Sequence, residues 1–80
     1  EENFMETIID IIKELKPGVD IDVTTKLIDE KILDSLAMIS LVAELGDEFD
    51  VEITAQDIVP ENFATVEAIY EMIERLEDED

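Results

Sequence analysis

The chain has 80 residues, 46% of them apolar, and carries 24 acidic against five basic side chains for a net charge of -19. That length makes one small domain, residues 1–80, with a single modest core. The charge opposes nucleic acid and anionic lipid surfaces and favours basic protein surfaces, and the absence of Cys and His excludes thiolate nucleophiles, disulfides, His general bases and zinc sites.

The first helix is expected at about residues 3–15, with Asn3 as cap and Glu6 completing a capping-box-like pair. Phe4, Ile8, Ile11 and Leu15 share one face, widened by Met5, Ile9 and Ile12, and Pro17-Gly18 ends it. Residues 16–34 have no helical period. Val19, Ile21 and Val23 alternate with acids, but a lone strand has nothing to pair with, so an ordered loop is expected. Leu27, Ile28, Ile32 and Leu33 tie it to the core, with room for one short helical turn.

Asp34 or Ser35 caps the next helix, at about residues 35–49. Met38, Leu41, Val42, Leu45 and Phe49 share its core side. Leu36, Ile39, Ser40, Ala43 and Asp47 share the opposite side, a second, partly apolar stripe. Either the long loop covers that stripe or it is an exposed docking face. Gly46 weakens the helix locally by about 1 kcal/mol relative to Ala and leaves room for another element to approach.

Asp50-Val51-Glu52-Ile53 reads as an extended linker. Thr54 with Asp57 suggests a capped turn that Pro60 stops, and Glu61-Asn62-Phe63-Ala64 a turn with one buried aromatic. Thr65 then caps a final helix at about residues 66–76. Val66, Ile69, Ile73 and Leu76 form its core face, with Tyr70 and Met72 at the edges. Residues 77–80 place four negative charges at the negative end of the helix dipole and are expected to fray into a solvated tail. The architecture implied is all-α: a small antiparallel bundle of three main helices plus one short helix, with a long first loop. The regular apolar spacing argues against a disordered acidic chain. No apolar run approaches the roughly 20 residues of a membrane span. No signal-peptide pattern opens the chain, so a cytoplasmic domain is expected.

Catalysis finds little support. The carboxylates fall on outward helix faces, where solvated surface is the simpler reading, and Ser35 has no base beside it apart from Lys31. Asp20, Asp22 and Thr24 begin like a calcium loop, but Thr25 and Lys31 stand where Gly and a bidentate Glu are needed, so no metal site is assigned. Ser35 read from spacing alone is a plain cap. Its place at a helix start also favours an attached phosphate, although Asp34 would repel one.

Leu33-Asp34-Ser35-Leu36, followed by Ile39, Leu41-Val42, Leu45, Glu48-Phe49 and Val51-Glu52-Ile53, resembles the acyl carrier protein family, as do Thr65-Val66 and Ala68-Ile69. The resemblance spans essentially the whole chain. It implies a non-catalytic carrier in which Ser35, flanked by Asp34 and Leu36, receives 4'-phosphopantetheine from coenzyme A through a phosphopantetheinyl transferase. The arm's thiol supplies the sulfur that the sequence lacks and carries acyl groups as thioesters between enzymes of fatty acid or related acyl biosynthesis. Leu36, Ile39 and Ala43, with Glu44, Asp47 and Glu48, fall where the family's recognition helix meets basic enzyme surfaces. A monomer is implied, with an acyl-loading ligase or transferase and acyl-processing enzymes as partners. Fatty-acid carriers usually have Gly shortly before the Asp-Ser-Leu and acids on the turns after it. Here Ile32-Leu33 precede it, and Ala37 and Ser40 replace the acids, which implies a less charged surface near the arm. Phe49-Asp50-Val51 and Glu61-Asn62-Phe63-Ala64-Thr65 are similar to D-alanyl carrier proteins and related stand-alone carriers, which adenylating ligases load. The alternative without an arm is an acidic helical adaptor with Ser35 as a cap.

Overall fold

Three amphipathic segments become three long helices, and the two connections between them differ in content: residues 16–34 hold no helix, whereas residues 50–65 hold a 3₁₀ turn and a short helix. The structure, a computed structural model, describes residues 4–78; Asn3 and the cap expected of it lie outside the described residues. Helix α1, Phe4–Leu15, buries Ile8, Ile11 and Ile12. It stops where the Lys16 N–H donates to the Ile12 carbonyl at 2.8 Å and Gly18 turns the chain at φ 92°, a conformation that suits glycine.

Helix α2, Ser35–Phe49, runs antiparallel to α1. The pairing is readable at both ends. Lys16 meets Asp34 at 3.2 Å at one end, and the Phe4 and Phe49 rings meet edge to face, 5.5 Å between centroids, at the other. Leu41 and Leu45 are fully buried, and Met38, Val42 and Phe49 pack partly against the core. Each fully buried side chain of this size contributes about 1.5–3 kcal/mol. Ala37 is buried as well, which corrects its placement on the surface near Ser35. It sits on the α1 side of α2's first turn, beside Leu15 and Lys16.

The 19 residues between α1 and α2 form an ordered loop, as their lack of period suggests. Ile21, Leu27 and Leu33 are buried. Two main-chain hydrogen bonds pin the loop to the far side of the bundle: the Leu27 N–H to the Ala64 carbonyl at 2.8 Å, and the Glu67 N–H to the Val23 carbonyl at 3.3 Å. The short helical turn is present near Leu27. It closes with the Ile32 N–H donating to the Leu27 carbonyl, the Lys31 N–H to the Ile28 carbonyl, and Lys31 left-handed at φ 62°. Asp22, the would-be calcium ligand, is engaged locally: its Oδ1 accepts from the Thr24 N–H at 2.8 Å and from both threonine hydroxyls. These bonds, led by the Thr24 N–H, hold its pKa below the ordinary value.

After α2 the chain reverses through left-handed Asp50, whose N–H and that of Val51 both donate to the Gly46 carbonyl. The Val51 carbonyl lies 3.1 Å from where a Cβ on residue 46 would be, so Gly46 admits a close approach by its own chain. A 3₁₀ turn, Ala55–Asp57, follows with the Thr54–Asp57 capping box in place. Pro60 does more than stop it. It opens a short helix, α3, Pro60–Phe63, at the position where a missing N–H costs nothing, and Phe63 is fully buried.

Helix α4, Val66–Asp78, starts on the Thr65 hydroxyl, which accepts from the Ala68 N–H at 3.1 Å. It runs beyond the expected end at residue 76, so residues 77 and 78 are helical rather than frayed. Its faces also differ from the wheel: Met72 is buried and Leu76 only half-buried. The cause is that α4 packs on both α1 and α3, which turns a wider arc inward than a single contact would. Three main helices and one short one, with no strand among the described residues, make up the fold. No described helix is long and apolar enough to cross a membrane.

Candidate functional site

The site begins with Asp34, the residue that starts α2. Its backbone is extended, and its Oδ1 accepts from the Ala37 N–H at 2.9 Å, satisfying one of the donors that a helix start leaves over. Oδ2 pairs with the Lys16 ammonium at 3.2 Å. Both contacts, the Ala37 N–H foremost, hold the Asp34 carboxyl below its ordinary pKa of 3.8.

With Asp34 as the cap, Ser35 occupies the first helical position. It is exposed, and its hydroxyl has no hydrogen-bond partner among the described residues. The cap role that spacing alone suggested for Ser35 therefore belongs to its neighbour. A hydroxyl in this place is presented outward on a rigid helix, and an anion attached to it would face the positive end of the α2 dipole. The chain has no His, so no imidazole stands beside that hydroxyl.

The stripe beyond Ser35 is uncovered. Leu36 is 79% exposed and Ile39 69% exposed, and Ser40 and Ala43 are open to solvent beside them. The long loop packs elsewhere. Glu44, Asp47 and Glu48 are exposed on the same helix and flank this face. The predicted site residues Asp34, Ser35, Leu36, Ile39, Ala43, Glu44, Asp47 and Glu48 thus follow one another along one helix and its cap. The first turn of α2 carries no acid, while its later turns carry several. An apolar start with a charged rim suits contact with a basic protein surface having an apolar centre.

Lys16 is the residue that sequence reasoning missed. It lies 18 positions from Asp34, and the only hint was a cation just past the end of the first helix in a chain with few of them. Leu15, Lys16, Asp34, Leu36, Ala37 and Ser40 line a shallow groove of about 220 Å³ between α1 and the start of α2.

Comparison with known proteins matches this arrangement to a family. The model of the phosphopantetheine attachment site matches residues 5–73. D-alanyl carrier proteins of Bacillus cereus (strains B4264 and AH187) are 29% identical over 75 residues, covering 91% of this chain and 95% of theirs. The D-alanyl carrier protein of Bacillus anthracis (strain CDC 684 / NRRL 3495) aligns with the same identity and coverage. The match takes in all of α2 and most of the bundle around it, and the chain belongs to the phosphopantetheine attachment family of carrier proteins, which hold a covalent 4'-phosphopantetheine.

Proposed function

We propose that Ser35 carries the 4'-phosphopantetheine and that the chain is a stand-alone cytoplasmic carrier of a small acyl or aminoacyl group. The observation that carries the assignment is an exposed hydroxyl without a partner at the first position of α2, beside an uncovered apolar stripe. These residues fit the group. Ser35 offers the oxygen for a phosphodiester, and the helix start offers a positive field. Leu36 and Ser40 offer an apolar and a polar contact along the groove. When bound, the arm supplies a terminal thiol on which acyl groups ride as thioesters. In the transfer Ser35 Oγ would give up its proton to the transferase and bond to the phosphorus of the pantetheine phosphate as the pyrophosphate P–O bond of coenzyme A breaks and the nucleotide part leaves. Asp34 holds the first turn of α2 in register, and Leu36, Ile39 and Ala43, rimmed by Glu44, Asp47 and Glu48, meet the partner enzymes.

An aminoacyl or other small acid, activated by an adenylating ligase, is favoured as cargo over a fatty acyl chain. The aligned relatives are named D-alanyl carrier proteins, and the first turn of α2 has no acids. The test is direct. The protein is incubated with coenzyme A, magnesium and a broad-specificity phosphopantetheinyl transferase, and its intact mass is measured. One phosphopantetheinyl group is gained by the wild type and none by Ser35→Ala. A wild-type protein that gains nothing is an acidic adaptor. The modified protein then takes D-alanine from ATP and an adenylating ligase, whereas malonyl loading by a transferase would point to chain elongation instead.

A further inference from the structure

Helix α1 packs on α2 along one shoulder and on the long loop along the other. On the α2 side, Phe4 meets Phe49, and Leu15 lies beside the first turn of α2. Met5 and Ile9 lie roughly 100–140° round the helix from Phe4, on the side of the loop. There the packing does not close. Met5, Ile9, Ile21 and Val23 line a groove of about 480 Å³. Ile21 is buried, and the other three are half-buried. The remaining lining side chains are charged and exposed: Glu6, Asp10 and Asp22 against Lys13. The Thr24 N–H and both threonine hydroxyls hold the Asp22 carboxylate in place through Oδ1. A groove of this size admits a few apolar side chains. Its charge narrows the choice of occupant. A second copy of this chain brings a net charge of -19 of its own and is repelled. A neutral apolar ligand would shield the carboxylates from water without pairing them. A basic protein segment with apolar side chains answers both the apolar lining and the acidic rim.

We propose that the groove between α1 and the long loop is a second docking surface, which takes a basic amphipathic segment of a partner protein: its apolar side chains lie against Ile9, Ile21 and Val23, and its cations against Asp10 and Asp22. The surface includes neither Ser35 nor the Leu36 and Ile39 stripe. One partner can therefore hold the chain here while another reaches α2. The proposal is independent of what is attached to Ser35.

The test follows the methyl signals of Ile9, Ile21 and Val23 by NMR while a synthetic helical peptide, leucine on one face and lysine on the other, is added to the full chain. The same titration is made on Leu36→Ser/Ile39→Ser, which removes the exposed stripe of α2. The three methyl groups are expected to shift in both proteins with the same midpoint. No shift at these methyl groups, or shifts that vanish in the double variant, overturn the proposal. So does equal binding of a peptide with glutamine in place of lysine. Charge at the groove is then varied in both directions. Asp10→Lys is expected to weaken binding about tenfold at low ionic strength, and Lys13→Glu to tighten it by a similar factor. A poorly folded variant cannot produce that gain. Glu71→Lys makes the same change in net charge as Asp10→Lys, but on α4 and outside the groove, and should alter binding by less than about twofold. If Glu71→Lys weakens binding as much as Asp10→Lys, the field of the whole molecule rather than the groove holds the peptide, and the proposal fails.

Discussion

At the scale of single residues, Asp34 and Lys31 show how much of this fold turns on backbone chemistry. Asp34 is bonded as a carboxylate to the Ala37 N–H and to Lys16, so its folded pKa lies below the ordinary 3.8. Between those two values the unfolded chain binds the proton more readily than the folded one. The stabilisation is therefore complete well above pH 3.8 and is lost as pH falls through the lower, folded value. Asp34→Asn is expected to melt below wild type at neutral pH, with the gap closing as the buffer is taken below 3.8. A gap that stays constant in acid would show that the charge of Asp34 is not what holds the cap. Lys31 is a non-glycine residue at φ 62°, closing the helical turn that docks Leu27. Lys31→Gly removes that strain at an exposed position, and chemical denaturation should show a gain of about 0.5–1 kcal/mol, offset in part by the more flexible unfolded chain.

At the scale of elements, α2 has one buried and one exposed apolar face, and substitutions on each should separate in measurement. Ile39 is 69% exposed, so Ile39→Glu should change unfolding free energy by no more than about 0.5 kcal/mol while impairing transfer to and from partner enzymes. Loss of the helical circular-dichroism signal in that variant would mean that the two stripes are reversed. Phe63, fully buried in α3, has the opposite profile: Phe63→Ala should cost about 3–5 kcal/mol in denaturant melts, a large part of a small domain's stability. These elements also mark what could be read from residues alone. The two stripes of α2, the end of α1 at Pro17-Gly18 and the Thr65 cap follow from spacing and local chemistry, and each is present. Ala37 and Met72 were not legible. Their burial is decided by neighbours that a helical wheel does not contain: the end of α1 beside the first turn of α2, and α3 against α4. The Lys16–Asp34 pair was illegible for the same reason, since its members lie 18 positions apart along the chain and only the packing of α1 on α2 joins them. The hydroxyl and its stripe were legible because both lie within one continuous helix.

At the scale of the whole molecule, charge and size act together. The 80-residue chain has a net charge of -19, and its described residues span 35 × 31 × 19 Å. At about 10 mM ionic strength the screening length is about 30 Å, so almost every carboxylate senses every other one. At about 150 mM it is near 8 Å, and only neighbours interact. Unfolding moves these charges apart, so their repulsion opposes the compact state most strongly in dilute buffer. Raising a monovalent salt between those limits should therefore raise the melting temperature by about 5 °C, a shift that corresponds to roughly 1 kcal/mol in a domain of this length. The gain should be the same with sodium and with tetramethylammonium, because screening does not depend on which cation supplies it. A gain confined to sodium or magnesium would reveal ion binding at particular carboxylates, and a flat response would mean that the repulsion is equally strong in the unfolded chain. The same field would draw any basic protein surface toward this chain, and salt would weaken that attraction as it relieves the repulsion. Loading by a basic enzyme should accordingly slow over the salt range in which the carrier itself becomes more stable, which separates an encounter effect from a folding effect in one titration.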